Sequence, residues 1–489
     1  LAQSDTNYEV IIIGSGFGGL CAALMLRKQG RTNFRILERR SFMGGTWCQN
    51  TYPGAAVDVQ SPLYSIADEP YDWTQMFAEQ KELEQYTKHV ITKHGLQNYT
   101  DTNTQVERLE WDDHAKRWTI FTNTSRHYRT RFVINASGPL STPVIPNVDG
   151  LDTFAGASFH TNDWDHSVSY RGRNVAVVGS GASAIQVIPA IAPQVNALHV
   201  FQRTPHWVMP RHDREFTSWQ RALLRNRLAY RALRTGIYWG LETRVIGFKY
   251  SQRALRLVAQ RQALQHLRDL VPDATLRNKL TPDYIIGCKR ILLSNTFYPT
   301  LSRPNVTLHD RTDGIRRIEP GGIHTTQGTY LPLDLIVWAT GFDAVDGVVS
   351  YPVIGRDGRS LRETWSPYPR AYLGTTMPGF PNFFIVTGPN TGIGHTSAIF
   401  VIEAQMEYIA QCLKQAVQAQ SQTIEVTTDA ETDYTNHIHS EMEHTVWKTG
   451  GCKSWYQSQS GHVIAMYPGF SFMFRRRATQ FQPEHHHIA

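Results

Sequence analysis

Two glycine loops constrain this chain more than any other feature, because each follows an apolar run and precedes a helical pattern. They are Gly14-Ser15-Gly16-Phe17-Gly18-Gly19 and Gly179-Ser180-Gly181-Ala182-Ser183-Ala184. Val10-Ile11-Ile12-Ile13 reads as a buried parallel strand running into the first loop. Residues 20–28 then read as a helix and Arg35-Ile36-Leu37 as a second strand, which completes a βαβ unit. The order recurs downstream, with a strand at Asn174–Val178, a helix over 184–191 and a strand over 198–201. Further buried strands are expected at 131–136, 335–342 and 383–386. The predicted class is α/β, with two Rossmann-like dinucleotide-binding domains. The length of 489 residues leaves room for a third part.

The two loops lead into different residues. In the first, Gly14, Gly16 and Gly19 turn the chain, admit a pyrophosphate to the backbone and let helix pack on strand. Glu38 lies 19 residues past Gly19, where an acid can accept from a ribose hydroxyl. In the second, Gly179 and Gly181 are followed by Ala184, and the next strand ends in Gln202-Arg203-Thr204 with no acid. A carboxylate there would repel a 2′-phosphate, whereas a guanidinium pairs with it through two parallel hydrogen bonds. The second dinucleotide is therefore expected to be NADP(H).

Residues 210–280 have a different texture, rich in Arg, Leu and Ala, and read as a mostly helical insertion. From Arg211 to Lys279 there are fifteen Lys/Arg against five Asp/Glu. No nucleic-acid recognition motif accompanies that excess, so the expectation is a solvated helical face that also attracts an anionic cofactor. No run of about 18 apolar residues exists, and no membrane-spanning helix is expected. Residues 1–5 lack the charged and apolar regions of a secretory leader, and the missing Met fits a trimmed start. Cys21, Cys48, Cys288, Cys412 and Cys452 are scattered and odd in number, so neither a disulfide framework nor a metal site is expected, and a reducing cytoplasm fits best. The tail His485-His486-His487 reads as a disordered terminus rather than a metal site. Gly44-Gly45-Thr46-Trp47-Cys48 is like a segment of dithiol flavoenzymes, but the position for a second cysteine is Pro53, so Cys48 is expected to be a packed thiol.

Between the loops lies Phe154-Ala155-Gly156-Ala157-Ser158-Phe159-His160-Thr161-Asn162-Asp163-Trp164-Asp165. It matches F-x-G-x-x-x-H-x-x-x-W-[PD]. A second pattern, [AG]-G-x-W-x(4)-[FY]-P-[GM]-x(3)-D, is met by Gly45, Trp47, Tyr52, Pro53, Gly54 and Asp58. In these two motifs, and in Ala339-Thr340-Gly341-Phe342 and Cys452-Lys453-Ser454-Trp455-Tyr456, the chain resembles type I Baeyer–Villiger monooxygenases over nearly its whole length. The resemblance implies FAD and NADP as cofactors, a ketone and dioxygen as substrates, and an ester or lactone as product. It implies Arg290 as the arginine that stabilises a C4a-peroxyflavin, with Asp58 touching it. Lys289 and Arg203 would grip the 2′-phosphate, Trp455 would pack near the nicotinamide cofactor, and His160 would be a linker histidine. Thr46, Trp47, Val106 and Thr204 join the implied cofactor-binding set. Relatives often carry an acid shortly after the Lys-Arg pair; here the stretch is Leu292-Leu293-Ser294-Asn295-Thr296, and substrate-side contacts should differ.

The expected division is 1–141 with 343–489 for FAD, 142–208 with 289–342 for NADP, and 209–288 for the insert. Two other activities compete. A heteroatom oxygenase making sulfoxides or N-oxides is opposed by Trp164-Asp165, and a flavin-binding redox sensor has no use for Arg290 and Asp58. The ketone's identity and the oligomeric state are not encoded in any motif found.

Overall fold

A computed structural model describes residues 6–343, 348–458 and 460–489; the opening residues 1–5, where a leader would show its pattern, lie outside them. The first apolar run becomes the strand Thr6–Ile13, with Val10, Ile11 and Ile12 fully buried. It pairs in parallel with Phe34–Leu37 on one side and His127–Asn135 on the other. Ile12 faces Ile36 and Ile134 across these pairings, so apolar residues of three strands lie in register. Strands covered on both faces need such runs, and this is why no alternation is visible in the sequence.

The rest of this eight-stranded sheet comes from both ends of the chain. Val106–Asp112 and Arg117–Thr122 form an antiparallel meander against the first half of His127–Asn135. The second half pairs in parallel with Phe383–Ile385.

The second sheet has five strands, all parallel. Asn174–Val178 sits at its centre, between Ala197–Phe201 and Leu335–Trp338; Val306–His309 and Ala157–His160 form the edges. In both sheets the loop-feeding strand has its next strand on one side and a later strand on the other. That reversal leaves a crevice at the strands' carboxyl ends, where dinucleotides bind in open α/β sheets.

The insert is helical, as its composition implies. Its helices are Ser218–Leu224, Arg227–Glu242, Arg261–Leu270 and Ala274–Leu280, with π-helical turns at Ile246–Tyr250 and Leu255–Gln260. Asn226 starts the longest by accepting the backbone N–H groups of Leu228 and Ala229.

Two expectations are overturned. Cys288 and Cys452 form a disulfide, with Cα atoms 6.1 Å apart and 164 positions between them in sequence. Spacing along the chain carries no signal for a pair that two remote segments bring together. Cys21, Cys48 and Cys412 are thiols, and burial pushes Cys48 up to about 11, as suits a packed, unreactive group. The histidine tail is also ordered: His486–Ile488 pairs antiparallel with Ile424–Val426. His486 Nε2 lies 2.6 Å from the Tyr408 hydroxyl and His485 Nδ1 lies 2.9 Å from the Tyr372 hydroxyl. Buried hydroxyls need partners, and these imidazoles supply them. Among the described residues there is no side-chain group suited to a metal ion, and no helix long and apolar enough to cross a membrane.

Candidate active site between two dinucleotide loops

The first loop is closed by backbone contact. A Cβ at Gly19 would lie 2.0 Å from the Gly14 carbonyl oxygen, so the helix Phe17–Lys28 packs on the turn only with glycine there. A Cβ at Gly45 would lie 2.5 Å from the Gly16 Cα, which stacks the Gly44-Gly45 segment against the loop. The helix has no side-chain cap, and its first N–H groups face the crevice, a fit for a pyrophosphate. Glu38 ends the next strand: Oε2 accepts from the Ser15 N–H at 3.0 Å and hydroxyl at 2.6 Å, and Oε1 accepts from the Arg40 N–H at 2.9 Å. Oε2 is fully used by Ser15, and Oε1 keeps a further acceptor site for a ribose hydroxyl. Thr46 and Trp47 open the short helix Thr46–Gln49, where Trp47 Nε1–H donates to the Tyr64 hydroxyl at 3.3 Å. Val106 is buried against Ile13 and Leu37, below the strand ends.

The second loop repeats the design with one opening. Gly179 has φ +132, and a Cβ there would lie 2.2 Å from the Ala339 carbonyl oxygen. At Gly181 a Cβ would meet nothing within 4 Å, so that position faces a space a phosphate can enter. The helix Ala182–Ile191 again lacks a side-chain cap. Ser180 donates its hydroxyl to the Thr204 carbonyl at 2.7 Å, which ties the loop to the Arg203 turn. Lys289 comes to the same turn, its Nζ 5.1 Å from the centre of the Tyr284 ring. Burial, reinforced by the nearby Arg203 guanidinium, holds Lys289 below the usual lysine range. Neither cation has a carboxylate at ion-pair distance among the described residues. Asp283 acts on Lys289 only from beyond ion-pair distance, so two cations lie close together with no direct carboxylate partner among the described residues.

Asp58 and Arg290 meet between the loops. Arg290 donates Nε–H to Oδ2 and Nη2–H to Oδ1, each at 2.7 Å. Asp58 raises the guanidinium above its ordinary range, against the opposing effect of burial. Nη1 takes no part in the pair. Tyr456 and Tyr64 stand close to the same pair; burial raises both, Tyr456 to about 12, so both stay neutral. Trp455 is 47% exposed and meets Tyr456 edge to face at 4.6 Å. The disulfide joins the residue before Lys289-Arg290 to the loop carrying Trp455 and Tyr456. The segment after the pair forms the strand Leu292–Leu293, beside Val208–Met209.

His160 ends the strand Ala157–His160 and is buried, which lowers its basicity; Nδ1 accepts the Asn162 N–H at 3.0 Å. The turn it caps is gripped from the first module: Arg40 pairs with Asp163 at 3.1 Å, and Gln49 Nε2 donates to the Asn162 carbonyl at 2.6 Å. The histidine motif thus lies where the two modules touch. A second clamp has no counterpart among the sequence expectations. The Tyr52 hydroxyl donates to Gln186 Oε1 at 2.8 Å, and Gln186 Nε2 donates to the Ala56 carbonyl at 2.8 Å. Tyr52 is visible as a motif position, whereas Gln186 is one polar residue in an apolar helix.

Residues 11–245 match the model of the pyridine nucleotide-disulphide oxidoreductase family. Among solved structures, an oxidized steroid monooxygenase bound to NADP is similar with TM-score 0.88 and 30% identity, covering 99% of each chain. A closed crystal structure of cyclohexanone monooxygenase is similar with TM-score 0.88 and 28% identity, covering 99% of this chain and 100% of that one. A Baeyer-Villiger monooxygenase of Streptomyces coelicolor is 43% identical over 98% of this chain and 92% of its own length. One from Pseudomonas aeruginosa is 42% identical over 98% of this chain and 91% of its own length. Likeness of that depth, end to end, places this chain in the Baeyer–Villiger monooxygenase family.

Proposed function

We infer that this chain is an FAD- and NADPH-dependent monooxygenase that converts a small ketone, dioxygen, NADPH and a proton into an ester or lactone, NADP+ and water. The observation that carries this reading is the paired Asp58 and Arg290 set between two dinucleotide loops. FAD, when bound, supplies the transfer of electrons from NADPH to dioxygen and the delivery of one oxygen atom.

The remaining chemistry belongs to the chain. Residues 1–141 and 343–489 form the FAD module, with Gly14, Gly16 and Gly19 on the pyrophosphate, Glu38 on the ribose, and Thr46, Trp47 and Val106 lining the site. Residues 142–208 and 289–342 form the NADP module. There Gly179, Gly181 and Thr204 approach the phosphates, Arg203 and Lys289 hold the 2′-phosphate, and Trp455 covers the cofactor. Residues 209–288 form the helical insert. Arg290 keeps its positive charge and directs the free N–H groups of Nη1 at the oxygen that gains charge when the ketone carbonyl is attacked. Asp58 fixes the guanidinium plane through the two-pronged contact.

The test is turnover with labelled dioxygen across linear, cyclic and aryl ketones, beside amines and sulfides of similar size. One labelled atom in an ester or lactone supports the reading. Efficient oxidation of amines or sulfides with no ester from any ketone would replace it with heteroatom oxygenation. Bound FAD without NADPH consumption would replace it with a redox sensor.

A further inference from the structure

The insert carries a surface that the active site does not use. Between residues 226 and 268 the sequence has nine Lys/Arg and one acid, Glu242. Glu242 is buried, where it accepts the Ser471 N–H and meets His395, so no carboxylate of this segment reaches its surface. Two of the nine cations are paired, Arg234 with Glu403 and Lys249 with Glu441. The other seven have no ion-pair partner among the described residues, and all seven are arginines.

Charge alone would suit a solvated face, but large apolar side chains stand among the arginines. Leu228 and Trp239, 74% and 52% exposed, are eleven positions apart on one helix and share its outer face, with Arg227 and Arg231 beside them. Ile246 and Tyr250 continue the surface from the next turn; Phe472 and Met473 join it from the helix Ser471–Thr479. The rings touch in series: Trp239 with Phe472 at 5.7 Å, Phe472 with Phe470 at 5.1 Å, and Phe470 with Tyr250 at 6.3 Å. Three separate segments thus build one aromatic patch. Leu257 and Val258, about as exposed as any residue of their size in the chain, stand between Arg256 and Arg261. Scattered exposed apolar residues are ordinary, whereas rings joined across three segments and framed mainly by arginines mark an interaction surface.

We propose that this face docks on an anionic lipid bilayer, with the rings and aliphatic side chains entering the headgroup layer and the arginines meeting lipid phosphates. Charge complementarity selects this occupant. A second copy related by a two-fold axis would set the arginine-rich faces against each other. A nucleic acid would satisfy the arginines but offer no apolar phase to Leu228, Ile246 and Leu257. Among the described residues no helix crosses a membrane, so the attachment is to the surface.

Flotation of the FAD-loaded full chain tests this, using phosphatidylcholine vesicles and vesicles that also contain phosphatidylglycerol. The protein should float with the anionic vesicles at low salt, and high salt should weaken that binding by about tenfold or more. The double variants Trp239→Ser with Phe472→Ser, and Arg227→Glu with Arg231→Glu, should each lower partitioning about tenfold. Flavin absorbance and NADPH oxidation should be unchanged in both, which separates this outcome from misfolding and from failure of the proposed activity. Equal flotation with neutral and anionic vesicles, or none, overturns the proposal. So does self-association in light scattering that both variants abolish, which would assign the face to a second copy. Tighter retention by polyuridylate than by anionic vesicles would assign it to nucleic acid.

Discussion

Arg290 donates one N–H to each oxygen of Asp58 at 2.7 Å, across 232 positions of sequence. The contact joins the loop after the short helix Thr46–Gln49 to the segment just past the insert. Arg290→Ala removes the charged donor proposed to face the reacting oxygen. FAD should still bind, and ester formation should fall by about 10²–10³-fold. Arg290→Lys keeps a charge but loses the planar fork, so it should restore only part of the loss. Asp58→Ala frees the guanidinium plane, and more NADPH should be consumed per ester formed. Single-turnover product analysis checks all three, and a normal ester yield from Arg290→Ala would sink the assignment.

Arg203 and Lys289 make a second, separable prediction. In the proposed site each grips the 2′-phosphate through a charge-assisted hydrogen bond, so removing one should weaken NADPH binding by about 1.5–3 kcal/mol. Arg203→Ala should show that loss, and the pair with Lys289→Ala a larger one, while NADH binding is spared. Equal losses with both cofactors would place the 2′-phosphate elsewhere.

The pH dependence of that site derives from Lys289. Burial and Arg203 lower its pKa, so its charge, present below the folded-state pKa, is lost as pH rises through a value below the ordinary lysine range. NADPH affinity should therefore fall on the alkaline side before an ordinary lysine titrates. NADH affinity, which does not need Lys289, should stay flat over the same range. Arg290 contributes no limb there, because Asp58 holds it charged. Titration of both dissociation constants against pH, in wild type and Lys289→Ala, decides this.

Much of the fold is legible in the sequence because buried parallel strands are written as unbroken apolar runs. Val10-Ile11-Ile12-Ile13 and Asn174–Val178 can be read with no partner in view. The places of Glu38 and Arg203 just past the second strand of each unit are legible because each stands at a fixed offset from a glycine loop. Other contacts lie beyond what spacing encodes. Cys288 and Cys452 meet only because the end of the insert and the loop after Val446–Thr449 fold together. Gln186 clamps Tyr52 and Ala56 from a helix whose pattern announces only core. The histidine tail has the look of a low-complexity end, yet it is held by the hydroxyls of Tyr408 and Tyr372, which lie more than seventy positions away in sequence.

The disulfide should matter for both stability and cofactor binding. Closing a loop of 164 residues corresponds to about 5 kcal/mol in the chain-entropy limit, and measured effects are typically about 2–4 kcal/mol. Cys452→Ser should lower the thermal midpoint to the extent that reductant lowers it in wild type. It should also raise the KM for NADPH, because the untethered loop carries Trp455. If thiol titration of the unfolded wild-type protein without reductant counts five free cysteines rather than three, the bond is absent in solution.

Two glycines of one loop should respond in opposite ways to a single methyl group. Gly179 has φ +132, and a Cβ there falls 2.2 Å from the Ala339 carbonyl oxygen. Gly179→Ala forces a backbone conformation that costs about 1–3 kcal/mol, plus the clash, so the protein should lose stability even without NADPH. Gly181 has φ −82, which alanine adopts freely, and a Cβ there meets no protein atom within 4 Å. Gly181→Ala should therefore leave the protein without NADPH unharmed, or stabilise it by about 0.4–1 kcal/mol through the unfolded state. The methyl would instead occupy the space that brings a pyrophosphate to the backbone, and NADPH affinity should fall steeply. Thermal melts with and without NADPH separate the two effects. The signature is a Gly181→Ala protein that melts as high as wild type alone but gains little from NADPH. If it gains as much as wild type, the dinucleotide does not approach the loop at Gly181, and the reading of the second glycine loop as the NADP site is wrong.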